Sequence, residues 1–257
     1  MRTTTAAALA LMISCGGCLD ALASDETVTT TEDIPVSGAP WIMVQTAGGG
    51  IDVRPGTDGH VHVEVKRRAP TADEAKALKV TAKVDNGVVR ILWQSDGKPH
   101  RSVSFVIQAP ASCRLALATS GGGISVDGFT GGVTANTSGG AINVANLRGE
   151  VSLKTSGGSI GALGVDGTLD ARTSGGDVKV AGNLRGANTV ATSGGAIEVR
   201  LADKSKLRVE GSTSGGGATN DFGWPATGGR FTGQIGDGSS GSLNAHTSGG
   251  SIAVRRL

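Results

Sequence analysis

From residue 41 onward, apolar and polar residues alternate in short runs that are interrupted at intervals by the phrase Thr-Ser-Gly-Gly. The phrase begins at Thr119, Thr137, Thr155, Thr173, Thr192, Thr213 and Thr247, with a weaker copy at Thr46-Ala47-Gly48-Gly49. The first four full copies lie 18 residues apart, and the later steps are 19, 21 and 34 residues. A near-constant period means one supersecondary unit used many times, with later insertions.

Aligning the copies on Thr defines the unit. Four and two residues before it stand Ile42 and Val44, Leu115 and Leu117, Val133 and Ala135, Val151 and Leu153, and Leu169 and Ala171. Five and seven residues after it stand Ile51 and Val53, Ile124 and Val126, Ile142 and Val144, and Ile197 and Val199. Side chains two apart on a strand share a face, so each unit predicts two short strands with inward apolar pairs and the Thr on the same face. The Ser-Gly-Gly between them is expected to turn a tight corner through glycines at positive φ. Phe129, Leu147 and Val165 give a third apolar point, each followed by a glycine two residues later.

Strands this short bury nothing alone, so each coil must pair with the coils on either side. The predicted fold is all-β, a β-solenoid (β-helix) of roughly 18-residue coils with a stacked Thr corner. At ~4.8 Å per coil, roughly eight coils make a rod on the order of 40 Å long. A β-sandwich of similar hairpins is the competing arrangement, but repeated sequence at a fixed step favours stacking over Greek-key wiring.

The rest of the chain divides around this array. Residues 1–23 have the make-up of an export signal, with Arg2, an apolar stretch through Ile13 and then small residues. Met12-Ile13-Ser14-Cys15 fits lipidation at Cys15, and Ala21-Leu22-Ala23 fits ordinary cleavage before Ser24; Gly16-Gly17-Cys18 behind Cys15 favours the first. Residues 24–40 read as a linker. Residues 41–114 read as the first coil plus an N-terminal cap with one short helix, for which Thr71 and Glu74 have capping-box spacing. A hairpin at Asn86-Gly87 follows. Residues 115–257 carry the solenoid repeats, with an insertion at about 218–242. Val254-Arg255-Arg256-Leu257 reads as the terminal coil, two cations opposing edge pairing.

Composition narrows the function. A formal net charge of +2 without a basic stripe excludes nucleic acid as the natural partner. Beyond the N-terminus no run of about 18 apolar residues could cross a membrane, leaving only a lipid anchor as membrane attachment. Cys113 stands alone in the body of the chain and reads as a small buried side chain.

The repeated Thr-Ser-Gly-Gly-x-Ile-x-Val units, with Val103-Ser104-Phe105-Val106-Ile107 and Pro110 ahead of them, resemble the bacterial domain-of-unknown-function family of β-strand-repeat adhesins. The resemblance covers about residues 41–257 and implies a right-handed β-solenoid on exported or membrane-anchored proteins. It brings no catalytic residues.

Candidate chemistry is sparse. His60-x-His62 puts two imidazoles on one strand face without a third ligand, and His100 and His246 are isolated. Gly157-Gly158-Ser159-Ile160-Gly161 spells a nucleophile elbow, and Gly236 to Gly241 spells Gly-x-Gly-x-x-Gly. Neither has the helix its chemistry needs. Lys154 and Arg172 stack one coil apart with no carboxylate column expected to face them. No catalytic residue, metal or cofactor is therefore expected. The candidate binding residues are Phe222, Trp224 and Phe231, three of the seven aromatics, gathered in one insertion. The expectation is a non-enzymatic, exported cell-envelope protein, lipid-anchored or else periplasmic or secreted, whose partner is an envelope protein or a glycan. A polysaccharide-acting β-helix enzyme and an envelope-stress regulatory partner are the alternatives.

Overall fold

The structure, a computed structural model, describes residues 25–257. The signal segment, Cys15 and Cys18 lie outside the described residues. The chain is all-β: its strands join one 22-stranded sheet, and the α-helix among the described residues is Ala72–Ala77. The Thr71 hydroxyl caps that helix by accepting from the Glu74 amide at 3.2 Å. Asn86 and Gly87 both take positive φ, the requirement of a two-residue hairpin turn between Thr81–Asp85 and Val88–Leu92.

Equivalent repeat positions pair directly. Ile124, Ile142, Ile160, Val178 and Ile197 are successive partners in a parallel ladder, as are Leu115, Val133, Val151 and Leu169 in another. All of these side chains are buried, with Phe129, Leu147 and Val165 beside them. Burying each large aliphatic contributes about 1.5–3 kcal/mol, so the columns are the main stabilising feature. One strand before a Thr and one after its glycines make a layer, named below by that Thr.

The Thr ladder fixes how layers meet. Thr137 donates to the Gly122 carbonyl at 2.9 Å and Thr155 to the Gly140 carbonyl at 2.9 Å, while the Gly140 and Gly158 amides donate to Thr137 and Thr155 at 3.3 Å. Each hydroxyl thus gives one bond to the neighbouring layer and takes one from its own corner. The second glycine of the phrase is required for a different reason than expected. Gly122 and Gly140 are not among the residues at positive φ. Instead a Cβ on Gly140 would lie 1.9 Å from the Gly122 carbonyl oxygen, so close backbone approach excludes any side chain.

At both ends the stacking order departs from the chain order. Trp41–Thr46 lies between Val88–Leu92 and Arg114–Thr119, so the excursion after the Thr46 layer returns outside it. At the other end, Gly241–Thr247 is inserted between Gly186–Thr192 and Leu207–Thr213. The hydroxyl bonds agree: Thr247 donates to the Gly195 carbonyl at 2.8 Å, and Thr213 donates to the Gly250 carbonyl at 2.6 Å. The Thr213 layer is therefore outside the Thr247 layer, which is internal. This corrects the reading of Val254 to Leu257 as the exposed end, because Ile252–Arg256 pairs with Ile197–Leu201 on one side and its residues Ile252, Ala253 and Val254 pair with Ala218–Asn220 on the other.

Asn188 occupies the junction. It stands where other layers have Ile, Leu or Val, is buried, and accepts from the Leu169 amide at 2.8 Å while donating to the Arg185, Gly186 and Ser242 carbonyls at 3.0–3.2 Å. A buried amide is tolerated here because its polar atoms are bonded.

Antiparallel strands cover the outer edges. His60–Ala69 pairs with Ser102–Ala109, and Glu26–Pro35 pairs with His60–Ala69 over ten residue pairs. Much of the segment read as a linker is thus an edge strand. Its side chains are almost all exposed, so it carries no apolar alternation to reveal it.

Candidate functional site

The insertion places its three aromatics in one stack at the end of the array. Arg230–Gln234 runs antiparallel to Leu207–Thr213, setting Phe231 opposite Gly211. The Phe231 ring takes the space above Gly211, where an added Cβ would lie 2.3 Å from ring atom Cζ. Trp224 covers Gly233 in the same way, at 2.0 Å from the corresponding position. The ring centroids of Trp224 and Phe231 are 5.9 Å apart, and Phe222 stacks on Trp224 at 4.7 Å and 13°. The Arg256 guanidinium sits 4.8 Å from the Phe222 centroid, a cation–π contact.

Asn220 holds this turn. Its Oδ1 accepts from the amides of Phe222 and Trp224 at 3.1 and 2.9 Å, and its Nδ2 donates to the Trp224 carbonyl at 2.9 Å. The polar residue that breaks the apolar pattern of the Thr213 copy is therefore the one that shapes the aromatic turn. Phe231 is buried, whereas Phe222 and Trp224 are half-buried.

Beside the stack lies a shallow cavity of about 450 Å³ lined by Ser212, Thr213, Ser214, Thr227, Arg230 and His246, with Gly228. His246 Nδ1 is 3.0 Å from Ser212 Oγ across two layers. The sequence leaves His246 isolated, since 34 residues separate it from Ser212 and only insertion of the C-terminal layer makes them neighbours.

The other candidates resolve into surface contacts. His60 and His62 lie on the exposed face of their strand, and His60 Nδ1 meets Asp33 Oδ2 of the edge strand at 3.0 Å. Among the described residues no three metal-ligating groups converge. Lys154 and Arg172, expected to face no carboxylate, both meet Asp170, at 3.8 and 2.6 Å. Glu198 likewise meets Arg200 at 2.9 Å and Arg255 at 3.6 Å. Ser159 belongs to a corner whose carbonyl accepts from the Ile142 amide at 3.0 Å. Asp237 caps the turn through Ser239, and that hydrogen bonding holds its carboxyl below the usual range. Burial pushes the Cys113 thiol up to about 11.

No protein-family model matches the sequence, and no curated protein matches it. Solved structures do. One from Clostridium sporogenes whose name proposes cell adhesion shares 12% identity at a TM-score of 0.40, covering 90% of this chain and 100% of that one. A Bacteroides fragilis structure whose name proposes an adhesin shares 13% identity at a TM-score of 0.42, covering 91% of this chain and 99% of that one. A Parabacteroides distasonis structure similarly named shares 13% identity at a TM-score of 0.37, covering 90% and 97%.

Proposed function

We propose that the chain is a right-handed β-solenoid of roughly 18-residue coils serving as a non-enzymatic, adhesin-like interaction or scaffold module at the cell envelope. The parallel ladders of equivalent residues support winding, and the near-universal right-handedness of parallel crossover connections supports the hand. On this reading residues 1–23 direct export, residues 41–114 provide the first coil and cap, and residues 115–257 the array with its insertion. Cys15 carries the lipid anchor.

The observation that carries the functional reading is the in-register pairing itself. Because Ile124, Ile142 and Ile160 are direct partners, the outward residues between them are also held in fixed columns. A rigid face displays many contacts without the ordering cost that a flexible surface meets on binding. The half-buried pair Phe222 and Trp224 adds an aromatic contact at one end. The alternative of a polysaccharide-acting enzyme needs two carboxylates available on one face, and Asp170 and Glu198 are each engaged by two cations.

The test is a binding screen of the full chain against glycans and envelope proteins, with mass spectrometry of the mature N-terminus. Saturable binding together with a lipid-modified Cys15 supports the reading. A mature chain that starts at a free Ser24 ends the anchor, and failure to bind either class ends the interaction role.

A further inference from the structure

A second surface, remote in sequence from the aromatic insertion, has the make-up of a ligand groove. Trp41, Arg114, Gly132 and Glu150 occupy one outward row across four layers, since Trp41 pairs with Arg114 and the strands that follow keep register. At ~4.8 Å per step, the row spans ~14 Å. Gly132 and Gly131 before it cannot be replaced by larger residues: Gly132 has φ +89, and a Cβ on Gly131 would lie 2.2 Å from the Cys113 carbonyl oxygen. A depression of about 460 Å³ therefore stands between Arg114 and Glu150, with Trp41, Ala116, Thr130 and Thr134 along it.

Three features of this groove point to a ligand. Trp41 is 42% exposed, although Trp93 is 3% exposed in the core and Trp224 is half-buried in the aromatic stack. Arg114 and Glu150 form no ion pair among the described residues, while Lys154, Arg172 and Asp170 nearby are engaged with one another. Finally, the groove offers donors from Arg114, acceptors from Glu150, and hydroxyls that do both from Thr130 and Thr134.

We infer that this groove is a binding site for an uncharged, β-linked, gluco-configured oligosaccharide lying along the stack. A charged ligand would meet one like charge, from Arg114 or from Glu150, whereas sugar hydroxyls satisfy both. Equatorial substitution leaves the ring's C–H faces flat enough to rest on the exposed indole of Trp41. The inference rests on the interaction role proposed above and supplies the ligand class for it.

Titration of the full chain with cellohexaose and with chitohexaose, followed by calorimetry and Trp fluorescence, tests the site. At least one sugar is expected to bind. Trp41→Ala should weaken it about tenfold or more, and Glu150→Gln about threefold. Trp41→Phe should recover part of the loss. Since Trp41 and Glu150 face outward, both variants should keep the parent melting temperature. Unaltered binding by Trp41→Ala overturns the inference. So does failure of the parent to bind either sugar; if envelope proteins are still bound, the interaction role survives without this ligand.

Discussion

The two glycines of one corner should respond oppositely to the same added methyl group. In the Thr137 layer a Cβ on Gly140 would lie 1.9 Å from the Gly122 oxygen and 2.3 Å from its carbonyl carbon, whereas one on Gly139 would lie 3.7 Å from its nearest neighbour. Relieving the first clash requires the two layers to part by more than 1 Å, on the order of a quarter of the ~4.8 Å layer spacing. The Gly122 carbonyl is also the acceptor for Thr137, and Gly140 is bonded on both sides, to Thr137 and from Thr155. Overpacking costs about 1–3 kcal/mol, and loss of two hydrogen bonds adds about 0.5–1.5 kcal/mol each. Gly140→Ala should therefore lose about 2–6 kcal/mol, a fall in melting temperature on the order of 10 °C. Gly139→Ala should be neutral or gain about 0.4–1 kcal/mol through the unfolded chain. Thermal melts with amide exchange in the Thr137 and Thr155 layers measure both. Equal effects of the two substitutions would refute the argument that backbone contact dictates the second glycine.

Thr155→Val keeps the shape of the corner but strips partners from the Gly140 carbonyl and the Gly158 amide, so it should cost about 1–3 kcal/mol in urea unfolding, with Thr155→Ser closer to the parent. The Cys113 thiol, raised to about 11 from 9.0 by burial, is neutral in the fold where the unfolded chain would ionise; stability should be unaffected below about pH 9 and fall as pH rises from there toward 11. Denaturation midpoints across that range check this, with Cys113→Ala removing the thiol's share of the dependence. The Phe222→Ala, Trp224→Ala double variant should lower the melting temperature, because the Trp224 ring covers Gly233 and contacts Phe231; an unchanged melt would show that these rings add nothing to the end of the array.

The repeat was legible because it is local and redundant. The regular copies set inward apolar pairs at the same offsets from their Thr, so the pairing of Ile142 with Ile124 and with Ile160 follows from spacing alone. The order of layers at the ends was not legible, because the Thr213 and Thr247 phrases are identical through the second glycine and each fits beside the Thr192 layer. Asn188 is the local sign of the junction, a polar residue in an apolar column, and its meaning depends on a carbonyl at Ser242 that lies 54 residues away. The edge strand Glu26–Pro35 escaped notice because an exposed strand needs no alternation. The aromatic cluster could be read from composition. Its division into buried Phe231 and half-exposed Phe222 and Trp224 depends on Gly211 and Gly233, whose roles appear only when the strands are paired.

Engineered disulfides measure the order in which the layers meet. In the full chain with Cys15→Ser and Cys18→Ser, Thr189→Cys paired with Asn244→Cys joins direct partners on the outward face. Thr189→Cys paired with Glu210→Cys spans two layers, since Asn244 lies between them. Neighbouring strands at ~4.8 Å permit a disulfide, and Cα atoms more than about 7 Å apart do not. Rapid oxidation of the 189–244 pair, with none of the 189–210 pair, is the predicted result. Ready cross-linking of 189 with 210, and none of 189 with 244, would place the layers in simple chain order and contradict the inserted C-terminal layer.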